Sequence, residues 1–314
     1  MDQSSYRTQA PEGPLTVHAI FLVVRIVDEN SSAIDTVRDV ISGLEDLVKT
    51  VGFREPRIGL SCTVGIGDRV WNKLVGSRKP AELHPFREIK GAKHTAVSTP
   101  GDLLFHIRAD REDLGFEFER LLLQSLGDAV VVEDEVTGFR YFDSRDLLGF
   151  VDGTANPIGP DLADSAIVGS EDPDFAGGSY LVVQKYLHDL DAWQKLRTSE
   201  QEEIIGRTKS DNIELDDAAA PDQKSHKTLA TIEDDDGEHD IVRDNMPFGR
   251  PGRGEFGTYF IGYGRALWVI EKMLERMFIG EPEGKHDRIL DFSTPKTGST
   301  YFVLTQPMLA DLGD

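Results

Sequence analysis

Hydrophobic and polar residues follow two different periodicities in the first half of the chain. The alternating, β-rich run Thr16–Val27 predicts a strand, and apolar residues at helical spacing in Ala33–Val51 predict a helix. The same patterns then predict strands Ile58–Ile66 and Leu103–Arg108, a helix Arg111–Leu126, and a strand hairpin through Val130–Val132 and Phe139–Phe142. The order of these elements is β-α-β-β-α-β.

The second half of the chain repeats this order. The patterns predict a strand at Ser179–Leu187, one or two helices in Asp191–Ile205, strands at Ile241–Arg243 and Thr258–Tyr263, a helix at Ala266–Met277 and a strand at Thr300–Leu304. A β-α-β-β-α-β order is that of a ferredoxin-like unit. We therefore predict an α+β fold of duplicated ferredoxin-like halves, residues 1–145 and 146–314, with no repeat visible at the level of single residues.

The segment from Thr208 to His239 interrupts the repeat. It contains the acidic run Glu233–Glu238, which we interpret as a solvated loop rather than a metal site. Long insertions inside compact domains are nevertheless often functional. His226 lies between this run and an earlier polar run, Asp216–Asp222, so it becomes a candidate for a functional role.

The charge of the chain excludes several classes of partner. It has 56 acidic and 34 basic residues, for a net charge of -22, which would repel nucleic-acid phosphates and anionic lipid. The single cysteine, Cys62, lies in an apolar run and is interpreted as an inert thiol; with no disulfide possible within the chain, a reducing compartment is expected. Neither a signal peptide nor a membrane span is visible, so we predict a soluble, cytoplasmic protein.

One short motif places an acidic residue on a turn. Asp152 is flanked by Gly149 and Gly153, which adopt backbone angles closed to other residues, and Pro157 favours a turn as well. Such a turn can hold an acid for chemistry. On this motif alone, an Asx-type turn with a purely structural role is an equal alternative.

Taken with five further motifs in the same order, this turn points to a known family. The motifs are Gly149–Thr154, Gly177–Tyr186 with His188–Leu190, Ile204–Lys209, Ser225–His226, Ile241–Arg243 and Asp287–Phe292. Over nearly its whole length the chain resembles the dye-decolourising peroxidases, most closely their bacterial B-type subgroup. The resemblance implies two ferredoxin-like halves in a dimeric α+β barrel-like arrangement, with haem b in the C-terminal half.

The resemblance also implies which residue binds the haem iron. His226 is the proximal ligand, and its other ring nitrogen donates to a carboxylate, Asp287 or, as the second choice, Asp291. The remaining candidate histidines are given structural or loop positions: His18 and His106 within strands, and His84, His94, His239 and His286 in polar loops.

On the opposite face of the haem, the resemblance places Asp152 as acid-base and Arg243 as the stabiliser of developing negative charge, with their relative weight open. Asn245 shares the strand face of Arg243 and is a candidate to hold a distal water. Phe260 is a candidate apolar wall or an ordinary core residue. Arg207 is the candidate ligand of a haem propionate, with a surface arginine as the alternative.

The implied function is a haem peroxidase that uses hydrogen peroxide to oxidise dye-like, phenolic or other aromatic donors in one-electron steps through a ferryl intermediate. A haem-binding protein for storage, trafficking or iron recovery is the alternative, and a chlorite-dismutating haem protein is disfavoured by the Asp152 motif. Ala155 stands where some relatives have glutamate, which weakens the case for manganese oxidation. Trp268 is expected in the core, a homo-oligomer is expected, and the short carboxyl end disfavours loading into encapsulin shells.

Overall fold

The computed structural model describes residues 7–313 except residues 10–12, 14, 28–30, 54, 56–58, 220 and 236. Its strands are β1 (His18–Ile26), β2 (Leu60–Ile66), β3 (Ile89–Lys90), β4 (Thr95–Ala96), β5 (Leu103–Ala109), β6 (Val130–Phe139), β7 (Ser179–His188), β8 (Ile232–Asp234), β9 (Gly237–His239), β10 (Val242–Arg243), β11 (Met246–Arg250), β12 (Glu255–Gly264), β13 (Ser293–Pro295) and β14 (Ser299–Val303). Its α-helices are α1 (Ser31–Ser42), α2 (Leu44–Gly52), α3 (Asp68–Leu74), α4 (Glu112–Leu126), α5 (Pro160–Ala166), α6 (Leu190–Gln194), α7 (Thr198–Ile205), α8 (His226–Ala230), α9 (Leu267–Phe278) and α10 (Gln306–Ala310). Short 3₁₀ helices within the described residues are Gly127–Ala129, Pro251–Arg253, Arg288–Asp291 and Asp311–Gly313.

One large antiparallel sheet joins the two halves of the chain. Within the described ranges its order is β10-β12-β7-β14-β2-β5-β1-β6, with β11 added on β12 and β13 on β7. The N-terminal strands follow the order β6-β1-β5-β2 and the C-terminal strands the order β14-β7-β12-β10. In the N-terminal half β5 lies between β1 and β2, and in the C-terminal half β12 lies between β7 and β10, as in a split β-α-β unit. The predicted α+β fold of duplicated ferredoxin-like halves is thereby confirmed.

Alternate residues of each central strand face two different cores. In β1, Phe21 points into the space between the two halves, where its ring stacks on Tyr259 of β12 at a centroid distance of 4.2 Å. The next residue, Leu22, packs on the other side of the sheet with the helices. Because both faces of the strand are buried, almost every residue of β1 is apolar.

The two ends of the sheet approach each other and give it a barrel-like form. A Cβ atom added to Gly138 of β6 would lie 2.6 Å from the Cβ of Met246 on β11. Lys185 of β7 and Asp134 of β6 also form an ion pair, with 2.8 Å between Nζ and Oδ1. Strands from opposite halves are therefore in contact across the interior.

Two of the predicted elements differ from the structure. The predicted helix Ala33–Val51 is two helices, α1 and α2, separated at Gly43. The predicted hairpin near residues 130–142 is wrong, because β6 is one continuous strand paired with β1. Its acidic residues resemble a turn in sequence, but β6 is an edge strand whose carboxylates find cations on neighbouring strands, as the Glu133 carboxylate does 2.6 Å from Arg25 Nε.

The remaining boundaries follow the prediction closely. The strand predicted from Ile58 begins at Leu60, and Ile58 itself lies outside the described residues. The predicted boundary between residues 145 and 146 lies in the connection between β6 and α5 and stays a prediction. The segment from Thr208 to His239 contains α8 and the β8-β9 hairpin, so it is less irregular than its composition indicates. Among the described helices, none has the length and apolar character needed to cross a bilayer.

Candidate active site

A large cleft opens in the C-terminal half, between the helix-facing side of β7 and β12 and the helices α8 and α9. About 1030 Å³ of space lies within it, including the solvent at its mouth. Most of its lining is apolar and comes from separate elements, including Phe150, Phe260, Ile270, Met273, Leu274 and Met277. A few polar side chains project into this apolar space.

One wall of the cleft carries His226. It is the first residue of α8, and the preceding Ser225 caps the helix through its side chain. Imidazole Nδ1 lies 2.6 Å from Oδ2 of the fully buried Asp287. The second carboxylate oxygen of Asp287 accepts from the backbone N–H of Ile289 at 3.0 Å, which fixes the carboxylate at the start of the turn Arg288–Asp291.

The hydrogen bond to Asp287 determines the state of the imidazole. Because the carboxylate accepts from Nδ1, the neutral ring presents Nε2 as an acceptor, and Nε2 has no hydrogen-bond partner among the described residues. Burial lowers the pKa of His226, but the charge and hydrogen bond of Asp287 outweigh it, so the net pKa is raised. Asp291, the second choice, contacts other side chains and does not contact His226.

The loop that carries Asp152 forms another wall. Gly149 and Gly153 have φ values of 96° and 77°, in the left-handed region that favours glycine. Asp152 Oδ1 accepts from the backbone N–H of Gly153 at 2.7 Å and faces the amide of Asn245 at 3.4 Å. Burial raises the pKa of Asp152, while these hydrogen bonds and the charge of Arg243 oppose the rise.

Arg243 and the Asp152 loop are held together by a single asparagine. The side chain of Asn156 donates to the carbonyl of Arg243 at 2.6 Å and accepts from its N–H at 2.9 Å. The guanidinium lines the cleft, where Nη2 lies 3.7 Å from the sulfur of Met273. Within the described part of the chain no carboxylate pairs with it, and burial lowers its pKa. The guanidinium therefore forms no ion pair within the described cleft, although the charge of Asp152 acts on it from a greater distance.

Sequence analysis assigned no role to several further polar residues of the cleft, among them Asp146, Gln184 and His188. Asp146 belongs to the same loop as Asp152, accepts from the N–H of Phe150 at 2.9 Å, and has its pKa raised to about 7 by burial. Gln184 and His188 project from β7, and burial lowers the pKa of His188 to about 4. A signal was present in the sequence, because Gln184 and His188 share one face of β7, a strand that the sequence predicts, and Asp146 lies three residues before Gly149.

The other predicted residues divide between the cleft and its surroundings. Asn245 and Phe260 line the cleft. Arg207 is absent from this lining, because its guanidinium binds the Glu214 carboxylate and the Asn212 carbonyl, each at 2.8 Å. Trp268 was expected in the core, but it is 39% exposed at the start of α9, where helix geometry leaves one face in solvent.

The donor set suits a haem. The apolar slot has a neutral imidazole with an available Nε2 on one side, which is the usual proximal ligand of haem iron. The acidic Asp152 and the guanidinium of Arg243 line the same cleft. These residues therefore fit the group that the sequence resemblance implies.

Comparison with known protein families agrees with this geometry. The family model described as "Dyp-type peroxidase, C-terminal" matches residues 143–308, and "Dyp-type peroxidase, N-terminal" matches residues 12–140. A dye-decolorizing peroxidase of Mycobacterium tuberculosis is 54% identical over 92% of this chain and 85% of its own length.

Solved structures give the same result. DyPB from Rhodococcus jostii RHA1 superposes with a TM-score of 0.94 at 58% identity, covering 98% of both chains, and a variant of it solved in complex with heme has a TM-score of 0.93 at 58% identity, covering 96% of this chain and 97% of its own. The encapsulated DyP-type peroxidase from Mycobacterium smegmatis has a TM-score of 0.93 at 51% identity, covering 98% of both chains. That neighbour gives no support to the expectation that shell loading is disfavoured.

Proposed function

This chain belongs to the Dyp-type peroxidase family of haem b enzymes, and from that membership we propose that it uses hydrogen peroxide to oxidise dye-like, phenolic or other small aromatic donors. We propose one-electron steps through the ferryl intermediate that the sequence resemblance implies. The observation that carries the proposal is the placement of Asp152 and Arg243 in the same apolar cleft as the available Nε2 of His226.

His226 is proposed as the residue that holds the haem. Bound haem would supply an iron centre that accepts electrons from donors after reaction with peroxide. The Asp287 carboxylate, 2.6 Å from Nδ1, fixes the orientation of the ring and makes Nε2 a stronger donor to a metal. Because Asp287 is fully buried and also bound to a backbone N–H, this orientation is preorganised.

Asp152 is proposed to move the proton during peroxide cleavage. Its carboxylate takes a proton from the inner oxygen of hydrogen peroxide and returns it to the outer oxygen, which leaves as water. Arg243 stabilises the negative charge that develops on the departing oxygen, and its guanidinium stays protonated in this apolar setting. Asn245 holds the Asp152 carboxylate from the side and is proposed to position a distal water.

Arg207 is proposed as a ligand of a haem propionate. Its guanidinium would exchange the Glu214 carboxylate, 2.8 Å away, for the carboxylate of the cofactor. Phe260 is proposed as part of the wall against the macrocycle, and the exposed Trp268 as a surface site for donors too large for the cleft.

Two further properties are proposed on other grounds. The half-buried Cys62 thiol has its pKa raised by burial, which suits an inert thiol in the reducing cytoplasm. A homo-oligomer is proposed from the family resemblance alone.

Haem carriage is the competing function, and the cleft disfavours it. A carrier needs an iron ligand and an apolar slot, whereas Asp152 and Arg243 add an acid and a guanidinium to the lining. Burying such groups costs free energy, and a slot that only carries haem does not require them. Their placement beside His226 favours peroxide chemistry.

The two functions separate in one pair of measurements on the haem-loaded chain. Rapid mixing with hydrogen peroxide, followed by a phenol or dye, should give a fast spectral change at one equivalent of peroxide and repeated turnover of the donor. Incubation with a haem-free globin should give slow haem transfer. Rapid transfer together with a slow reaction with peroxide would favour carriage.

A further inference from the structure

A second cluster of metal-ligating side chains lies outside the cleft, on the far side of the turn Arg288–Asp291. His94 and His286 both direct Nε2 at the same atom, Oδ1 of Asp291, at 2.8 Å and 3.0 Å. Their ring centroids are 5.0 Å apart and the ring planes are inclined by 67°. The three donor atoms lie within 4.8 Å of one another.

This convergence is unusual for a cluster held by hydrogen bonds alone. Lys93 Nζ also lies 2.6 Å from Asp291 Oδ1, so three nitrogen donors share one carboxylate oxygen. A carboxylate has about four acceptor positions spread over two oxygens, so three donors on one oxygen exceed its share. The Nε2 atoms of His94 and His286 and the Asp291 oxygen each have a lone pair, and a single cation among them could bind all three.

We propose that His94, His286 and Asp291 bind a divalent first-row transition metal ion of borderline softness, represented by Zn²⁺. Two imidazole nitrogens and one carboxylate oxygen are the ligand types such ions prefer, with ligand distances of about 2.0–2.2 Å. Water completes the coordination. Hard ions that require all-oxygen surroundings, such as Mg²⁺, are excluded by the same ligand set.

The protonation states at the site permit metal binding. Neither Nδ1 of His94 nor that of His286 has a hydrogen-bond partner among the described residues, so each ring can carry its proton there and leave Nε2 for the metal. In this structure the Nε2 atoms of both imidazoles and Lys93 Nζ lie within hydrogen-bonding distance of Asp291 Oδ1. A metal ion would take the place of the proton between each Nε2 and this oxygen.

The backbone that carries the ligands is rigid. His94 lies at the tip of the β3-β4 hairpin, where Gly91 packs so closely on the Phe278 carbonyl at the end of α9 that a Cβ atom would have no room. Next to His286, the N–H of Asp287 donates to the Met277 carbonyl of the same helix at 2.7 Å. Both segments are thus docked on α9, and the ligand atoms are preorganised rather than assembled by the ion.

Lys93 is the built-in competitor for this site. Its ammonium occupies the shared oxygen, but its side chain is 58% exposed and can leave for solvent. The side chains of His94, His286 and Asp291 are only 19%, 18% and 26% exposed. A metal ion therefore has to displace the exposed ammonium of Lys93 from Asp291. This predicts that removing Lys93 strengthens metal binding.

Calorimetric titration of the haem-loaded chain with Zn²⁺ and with Mg²⁺ tests the proposal, and the protein must carry no polyhistidine tag. We expect one Zn²⁺ site and no comparable Mg²⁺ site. His94→Gln and His286→Gln, from two separate segments, should each weaken Zn²⁺ binding on the order of 100-fold, the upper end of the roughly 10–100-fold that loss of an outer-shell partner costs. Lys93→Gln should strengthen it about threefold to tenfold by removing a like charge.

His239→Gln is the matched control, since His239 pairs with Asp234 at 2.8 Å without a second histidine; it should leave Zn²⁺ affinity unchanged. An unchanged haem spectrum in each variant shows that the fold and cleft are intact. Equal Zn²⁺ affinity in the parent and both histidine variants, Mg²⁺ binding as tight as Zn²⁺ binding, or weaker binding after Lys93→Gln would each overturn the proposal.

Discussion

The two halves of the molecule have the same strand order but treat the space beneath their helices differently. In the N-terminal half, the helix-facing residues of β1, Ile20, Leu22 and Val24, are almost fully buried against α1 and α4. At the matching face of β7, the first residues are apolar but Gln184 and His188 border an open cleft. One half fills this layer with side chains, and the other leaves it for a cofactor.

The corresponding helices show the same contrast. Leu122 of α4 is fully buried in a closed core, whereas Leu274 of α9 is buried on the protein side and faces the cleft. The insertion between β7 and β10 then delivers His226 to the open side of the cleft. The ferredoxin-like fold is common to both halves, so it does not by itself explain the function. The difference is that side chains fill the layer beneath the helices in one half and leave a cleft there in the other.

The largest expected effect comes from removing the group that makes the C-terminal half different. His226→Ala should abolish stable haem binding, because no other imidazole in the described cleft has an available nitrogen at that wall. Haem content and the Soret band measure the effect. His84→Ala, at a loop histidine outside the cleft, is the control and should bind haem normally. Full haem content with an unchanged spectrum in His226→Ala would contradict the proposal that His226 holds the haem.

The next largest effects concern the polar groups of the cleft. Asp152→Asn should slow the reaction with peroxide by about two to four powers of ten if Asp152 is the principal base. Arg243→Leu should slow it by about two to three powers of ten through loss of charge stabilisation. Rapid-mixing spectroscopy of both variants measures these rates.

The pH dependence sharpens this prediction. Asp152 must be ionised to act as base, so the parent rate should fall as the pH drops through its pKa. Burial raises that pKa, which puts the loss at a higher pH than for an ordinary carboxyl group. The Asn variant should lack this acid limb, and its deficit should shrink as rising pH supplies hydroperoxide anion. Parental rates at every pH in Asp152→Asn would reduce Asp152 to a turn residue.

A matched pair of core substitutions compares the two layers directly. Leu122→Ala in the closed core should lower the free energy of unfolding of the haem-free chain by about 4 kcal/mol, because it creates a cavity. Leu274→Ala should lower it by only about 2 kcal/mol, because the removed volume joins an existing cleft. Chemical denaturation measures both. With haem bound, only Leu274→Ala should shift the Soret band; equal losses of stability and identical spectra would contradict the contrast.

The smallest effect is expected from replacing Asp287, the carboxylate that is hydrogen-bonded to the His226 imidazole. Asp287→Asn keeps a hydrogen bond to His226 but removes the negative charge, which should weaken the imidazole as a donor by about 1–2 kcal/mol. The iron reduction potential should therefore rise while haem content stays normal. Spectroelectrochemistry measures the shift, with Asp291→Asn as the comparison because Asp291 does not contact His226. An unchanged potential in Asp287→Asn would count against the role of its charge.

Sequence periodicity was sufficient for the fold because the strands are short, apolar and regularly spaced. The residues with chemical roles could be named only through several motifs in order, since His226 alone, in a polar segment, has no periodic signal. Asn156 could not be found, because its partners are backbone atoms 87 positions away and any amide would look the same in sequence. The hairpin error at β6 had a similar cause: its acidic residues are compensated by cations from β1 and β7, which only the tertiary structure brings close.

The two hydrogen bonds of Asn156 have a consequence for self-association. β10 is a terminal strand of the sheet, and the N–H and carbonyl of Arg243 point away from its partner β12. An open strand of this kind can recruit a strand from another molecule. By occupying both backbone groups, one amide side chain takes the place of a neighbouring strand. Losing it would therefore leave an unpaired strand edge and would also loosen the guanidinium that we propose stabilises charge. We therefore expect aggregation and loss of activity to appear together when Asn156 is replaced.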